Sequence, residues 1–207
     1  QMGRLPRVFA SEGMEARSAR ANRDLLDPLR ERADCRVWDR EQPPTAQELA
    51  RELEAAEGLL CLLTDTVDGA LMDAAPRLRV ISSYSVGVDH IDLEAATRRG
   101  IVVGNTPGVL TETTADLAFA LLLAAARRVV EAGDFLRKGE WSQARWEIDA
   151  FVGRGLHGAA HGLIGLGASG QAVARRAQGF GMEVLGWSRS GRAVAGVRGV
   201  SLPALLE

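Results

Sequence analysis

Along its first half the chain alternates short apolar runs of β type with longer stretches of helical period. The runs "RVFA", "CRVW", "GLLCLL", "LRVISS" and "IVVG" are separated by helical patterns at Glu15 to Ala33, Thr45 to Glu57, Asp68 to Ala75 and Asp92 to Arg99. Strands that alternate with helices need crossover connections, so the pattern predicts an α/β fold with a parallel, doubly wound sheet. Pro28 falls inside the first helical stretch and is expected to kink or divide it.

After the loop signal "GNTPG" a long helix is expected from about Thr113, with Thr113 and Asp116 spaced as a capping box. Its body, "LAFALLLAAARRVV", is apolar on nearly every face until Arg127, which predicts burial against more than one neighbour, at an interdomain or intersubunit position. The alternation then restarts. A strand at "HGLIGLG" leads into a helix from Ala168 to Gln178, with Gly179 as its stop, a strand at "MEVLGW" and a helical start at "SLPALLE". Two strands are expected in this second sheet, against about six in a full dinucleotide-binding domain, so the chain is expected to end in mid-domain.

Composition narrows the class. The 207 residues, 46% of them hydrophobic, carry a formal net charge of −2, which fits a globular protein of one or two domains and argues against a nucleic-acid or membrane surface as its main partner. Cys35 and Cys61 are far apart and form neither a metal-site spacing nor a disulfide framework, and Cys61 lies in an apolar run as a core thiol would. The first twenty residues lack a signal-peptide core, and the run Leu117 to Ala126 is shorter than the ~20 residues that span a bilayer, so a cytoplasmic location is expected.

The chemistry concentrates in "GLIGLGASGQAVARR", where Gly165, Gly167 and Gly170 make a G-x-G-x-x-G run between a predicted strand and a predicted helix. Gly165 suits the tight turn, Gly167 a close approach of the backbone to a pyrophosphate, and Gly170 close packing of the helix. Leu166, Ala168 and Ser169 complete the loop. At the end of the next strand, where a free ribose 2′-hydroxyl calls for a carboxylate, stand Ser188, Arg189 and Ser190. Hydroxyls and a guanidinium can hold a 2′-phosphate, which favours NADP(H) over NAD(H). The alternative for this tripeptide is a solvated turn.

The segments "GLLCLLTD", "SVGVDHIDL", "NTPGVLTETTADLAF" and "GLGASGQAVARR", read in order, resemble the D-isomer-specific 2-hydroxyacid dehydrogenases, most closely their glyoxylate/hydroxypyruvate reductases. The resemblance implies a flavodoxin-like substrate domain, placed at residues 1–104, followed by part of a Rossmann-type dinucleotide-binding domain, residues 105–207, with a cleft between the two. It implies hydride transfer between a nicotinamide cofactor and a small 2-keto or 2-hydroxy acid. Val86 and Gly87 match the turn whose N–H groups take the substrate carboxylate, Leu63 matches a residue lining that pocket, and Thr114 matches a position beside the nicotinamide.

The resemblance also implies a homodimer, paired through the helix after "NTPG" and an arm around Trp141 and Trp146. The family's catalytic Arg, Glu and His lie downstream in motifs that are not found here, so no catalytic residue is assigned to this chain. None of His90, His157 and His161 sits in a matching context, and His90 reads as structural. His161 and the Ala168–Ser169 pair depart from the family pattern, and the latter removes an Arg that would contact phosphate. A non-catalytic dinucleotide-binding or dimerisation module is therefore the alternative.

Overall fold

The structure, a computed structural model, describes residues 4–11, 26–142 and 147–207. The chain divides into two compact units, Gln1–Pro107 and Gly108–Glu207.

In the first unit five strands make one parallel sheet: β1 (Arg7–Ala10), β2 (Asp34–Val37), β3 (Gly58–Cys61), β4 (Val80–Ser83) and β5 (Val102–Gly104), in the order β2-β1-β3-β4-β5. That is the flavodoxin-like order, in which ligands gather outside the carboxyl ends of the strands. Phe9, Leu59 and Ile81 on the central strands are almost fully buried. They pack with Leu49 and Leu53 of α2 (Ala46–Leu53), Leu71 and Met72 of α3 (Gly69–Ala74), and Ala95 and Ala96 of α4 (Leu93–Arg98). Each of these helices opens on a side-chain cap: Thr45 with a reciprocal Glu48, Asp68 on the Leu71 N–H at 2.8 Å, and Asp92 on the Ala95 N–H at 2.8 Å.

The first helical stretch lies largely outside the described residues. What is described of it, α1 (Asp27–Arg30), has Pro28 in its first turn, where proline costs no hydrogen bond.

The second unit has a parallel sheet of three strands, β6 (Ala160–Ile164), β7 (Glu183–Trp187) and β8 (Arg198–Gly199), in the order β6-β7-β8. The expectation of two strands is corrected by the third: "VRGV" is too short and too polar to stand out as a strand, yet Arg198 and Gly199 pair with Leu185 and Gly186. Between β6 and β7 runs α7 (Ala168–Gly179), and α8 (Leu202–Leu206) follows Ser201 as its cap. Gly179 is the last residue of α7 and does not stop it. The stop is Gly181, which takes the left-handed conformation at φ +68°.

The long helix, α5 (Thr111–Ala126), starts two residues before the position expected. Thr113 is inside it, bonding back to the Leu110 carbonyl at 3.2 Å, and no side chain caps the N-terminus. Asp116 is engaged elsewhere, with Arg176 of α7. Within this chain α5 buries Ala115 and Phe119 against α7, where Phe119 meets Phe180 at 4.8 Å between ring centroids. Leu117 and Leu121 on its other side are 61% and 62% exposed, so the burial expected all round the helix is not completed within the chain. Beyond it come α6 (Val129–Arg137) and a short 3-10 turn at Glu140–Ser142. Among the described residues no helix is long and apolar enough to cross a membrane.

Candidate functional site

The residues singled out by the sequence gather at the carboxyl ends of the strands in each unit, apart from Thr114 in α5. The first loop leaves the carboxyl end of β4. Three successive carbonyls of this loop are each held by a donor. The Ser85 carbonyl accepts from the Thr106 N–H at 2.9 Å, that of Val86 from the Asn105 side-chain amide at 2.8 Å, and that of Gly87 from the Ser85 hydroxyl at 2.6 Å.

In a trans peptide the N–H points opposite to the C=O of the same plane, and no cis peptide occurs among the described residues. Fixing these three carbonyls therefore directs the N–H groups of Val86, Gly87 and Val88 away from their anchors. Among the described residues none of the three has an acceptor. Unpartnered successive N–H groups in an exposed turn are the makings of an anion nest.

Leu63 lies on the next loop along the same sheet edge, since Cys61 pairs with Ser83 across β3 and β4. Its side chain is 67% exposed, next to a turn that Asp65 holds shut: the buried Asp65 carboxylate accepts from the Leu62 N–H at 2.8 Å and from the Ser11 hydroxyl.

Behind the β4 loop runs a chain of side chains. Ser83 Oγ lies 2.6 Å from Ser85 Oγ and 3.0 Å from His90 Nε2. Each hydroxyl has one proton to give. Ser85 gives its proton to the Gly87 carbonyl, so Ser83 must donate to Ser85 and accept from His90, and His90 Nε2 carries a hydrogen. His90 is thus turned inward to support the loop, which is its structural reading. Cys61 Sγ is 4.0 Å from the same nitrogen, and burial pushes its thiol up to about 11, which disfavours the thiolate.

The second loop follows β6. Gly165 donates its N–H to the Trp187 carbonyl at 2.8 Å and sits at φ +99°, a conformation that only glycine takes without strain. A Cβ on Gly170 would lie 2.1 Å from the Gly165 carbonyl oxygen, so this glycine is required by close approach within the turn rather than to the strand. Gly167 adopts an extended conformation with open space where a Cβ would stand.

Leu166 is buried and anchors the turn, its carbonyl accepting from the Gln171 amide at 3.0 Å. No side chain caps α7, and among the described residues the N–H groups of its first turn, at Ala168, Ser169 and Gly170, have no acceptor. That is the geometry that takes a phosphate, and the residues present fit a dinucleotide.

Ile164 pairs with Trp187 at the ends of β6 and β7, so the glycine turn and "SRS" leave one sheet edge side by side. Ser188 closes a turn, its hydroxyl accepting from the Arg192 N–H at 3.0 Å while its proton stays free to donate, and Arg189 and Ser190 are exposed. Thr114 is exposed in the first turn of α5.

His157 packs its ring on Gly181, and His161 points a partnerless Nε2 into the interior, where burial lowers its pKa. Neither stands at a loop described above. The residues that sequence reading passed over are Ser85, Asn105 and Asp65. Their one signal was position, as polar residues one or two places past the apolar strand runs.

A family model for the D-isomer specific 2-hydroxyacid dehydrogenase catalytic domain matches residues 16–197. The chain is 44% identical over 206 residues to a glyoxylate reductase of Korarchaeum cryptofilum, covering 98% of this chain and 60% of that protein. It is 49% identical over 159 residues to a glyoxylate reductase of Thermococcus litoralis, covering 76% of this chain and 48% of that one. The crystal structure of the TT0316 protein from Thermus thermophilus superposes with a TM-score of 0.82 at 44% identity, over 97% of this chain and 61% of that chain. The chain belongs to the D-isomer specific 2-hydroxyacid dehydrogenase family. It spans about 60% of the length of the first of these relatives.

Proposed function

We propose that the protein reduces a small 2-keto acid, glyoxylate or hydroxypyruvate, to the D-2-hydroxy acid, using NADPH in preference to NADH. The carrying observation is the β4 loop, in which three held carbonyls leave the Val86, Gly87 and Val88 N–H groups free for a carboxylate. Leu63 lends the same sheet edge an exposed apolar side chain, which suits a keto acid whose substituent is small over one whose substituent carries a second charge.

The nicotinamide cofactor, when bound, supplies the hydride. The glycine turn and the uncapped first turn of α7 would hold its pyrophosphate, and Thr114 is the residue that would stand nearest its nicotinamide. Two curated relatives named glyoxylate reductase support the substrate class. Serines and an arginine at residues 188–190, in place of a carboxylate, support the phosphate-bearing cofactor.

Hydride addition builds negative charge on the carbonyl oxygen, which a positioned acid and cation must answer. His90, turned onto Ser83, is not that acid. The reading is tested with the intact protein by following NADPH and NADH oxidation with glyoxylate. Turnover with a higher kcat/KM for NADPH is expected, and no turnover with either cofactor counts against it.

We also propose that two copies pair through the exposed apolar side of α5 and the following arm. Leu117 and Leu121 stand exposed on α5, and in the arm that follows Phe135, Leu136, Trp141 and Phe151 line an apolar cavity of about 260 Å³. Trp146, the other arm residue, lies outside the described residues. Light scattering at micromolar concentration should give the mass of a dimer, and a monomer would overturn the pairing.

A further inference from the structure

The β4 loop is an unusual piece of backbone in that its carbonyl side is fully committed and its N–H side is not. Asn105 is exposed and follows β5, yet its amide reaches back to the Val86 carbonyl. Thr106 adds its own N–H to the Ser85 carbonyl. From the other side the buried Ser83 and Ser85 pass a single direction of donation from His90 to the Gly87 carbonyl.

Without these donors nothing on the carbonyl side would keep the peptide planes from rotating, since a bend with no regular backbone pairing has several near-equal orientations. A rotated plane would turn its N–H away from an approaching carboxylate. The loop would then have to be ordered at the moment of binding, and that ordering weakens affinity without touching the chemical step.

We infer that Asn105 and Ser85 are positioning residues: by holding the Val86 and Gly87 carbonyls they preset the Gly87 and Val88 N–H groups for the carboxylate of a 2-keto acid. The inference rests on the proposed reductase reading for its ligand.

The test uses the intact protein and two variants, Asn105→Ala and Ser85→Ala. Backbone amide resonances are followed during titration with glyoxylate, and the keto-acid KM is measured beside kcat and the cofactor KM. The Gly87 and Val88 amides should move on titration. Each variant should raise the keto-acid KM or Kd by about tenfold, the worth of one preset hydrogen-bond pair, with kcat and the cofactor KM little changed.

Amides that move without any turnover leave the inference standing and defeat the reductase reading. Turnover with unchanged keto-acid KM in the variants leaves the reductase and defeats the inference, as do wild-type amides that stay still. Asn105 is exposed, so Asn105→Ala decides the matter if Ser85→Ala does not fold.

Discussion

Single residues differ in how far their surroundings were legible. The glycines of the second loop were readable because backbone conformation is a property of the residue itself. Gly165 takes a positive φ, and Gly170 leaves no room for a methyl group beside the Gly165 carbonyl. Gly170→Ala should force the turn open and weaken NADPH binding on the order of tenfold or more, as read by cofactor fluorescence. Unchanged affinity would show that the turn is not the cradle.

The roles of Ser85, Asn105 and Asp65 were not readable. A hydroxyl or amide declares its partner only when the fold brings one near, and Asn105 finds its carbonyl on a different strand loop.

His161 was marked by sequence as out of place, and the structure gives that a physical form: a half-buried imidazole with a partnerless Nε2 and a lowered pKa, caused by burial. The sign follows from linkage. With the folded pKa below the ordinary value of about 6.5, the unfolded chain binds the proton first. Stability is therefore full above that pH and falls as pH drops through and below it. His161→Leu should flatten this acid loss in melts taken from neutral to mildly acidic pH, and an unchanged acid slope would contradict it. The Cys61 thiol, held up to about 11 by burial, should resist alkylation at pH 8 until the protein is unfolded.

At the scale of elements, apolar runs located strands more reliably than capping patterns located helix ends. A cap is a competition among nearby polar groups that sequence spacing alone does not decide. Thr113 and Asp116 have the right spacing, but Leu110 is the cap position and Asp116 bonds Arg176 instead. Thr45 and Glu48 form the reciprocal box. Thr45→Ala should lower stability by about 1 kcal/mol in denaturant titration, and a change below a few tenths would mean that α2 is held by packing alone.

Arg176 joins α7 to α5 through Asp116 and through Glu112 at 2.9 Å, with Arg175 adding a second bond to Glu112 at 2.6 Å, and the Asp116 and Glu112 carboxylates hold its guanidinium pKa up. Such pairs lie far apart in sequence and left no periodic trace. Even β8 escaped notice, because a two-residue strand carries no period at all.

For the whole molecule, alternation of runs was enough to give a parallel α/β architecture, since a crossover admits few alternatives. The order β2-β1-β3-β4-β5 came from the fold, yet it is what brings the Leu63 and Val86–Gly87 loops to one edge. The long helix shows the same division between what the chain states and what it leaves to tertiary structure. Its apolarity was plain, but only the structure separates the face packed on α7 from the face carrying Leu117 and Leu121.

The proposed carboxylate nest and dinucleotide cradle make a reductase only if they serve one reaction. The most direct measurement is steady-state reduction of glyoxylate by the intact protein with NADPH and with NADH in parallel. Saturable turnover with both substrates, faster at low concentration with NADPH, is the predicted result. Binding of NADPH with no reduction of any small 2-keto acid would contradict it and leave a dinucleotide-binding protein without the chemistry.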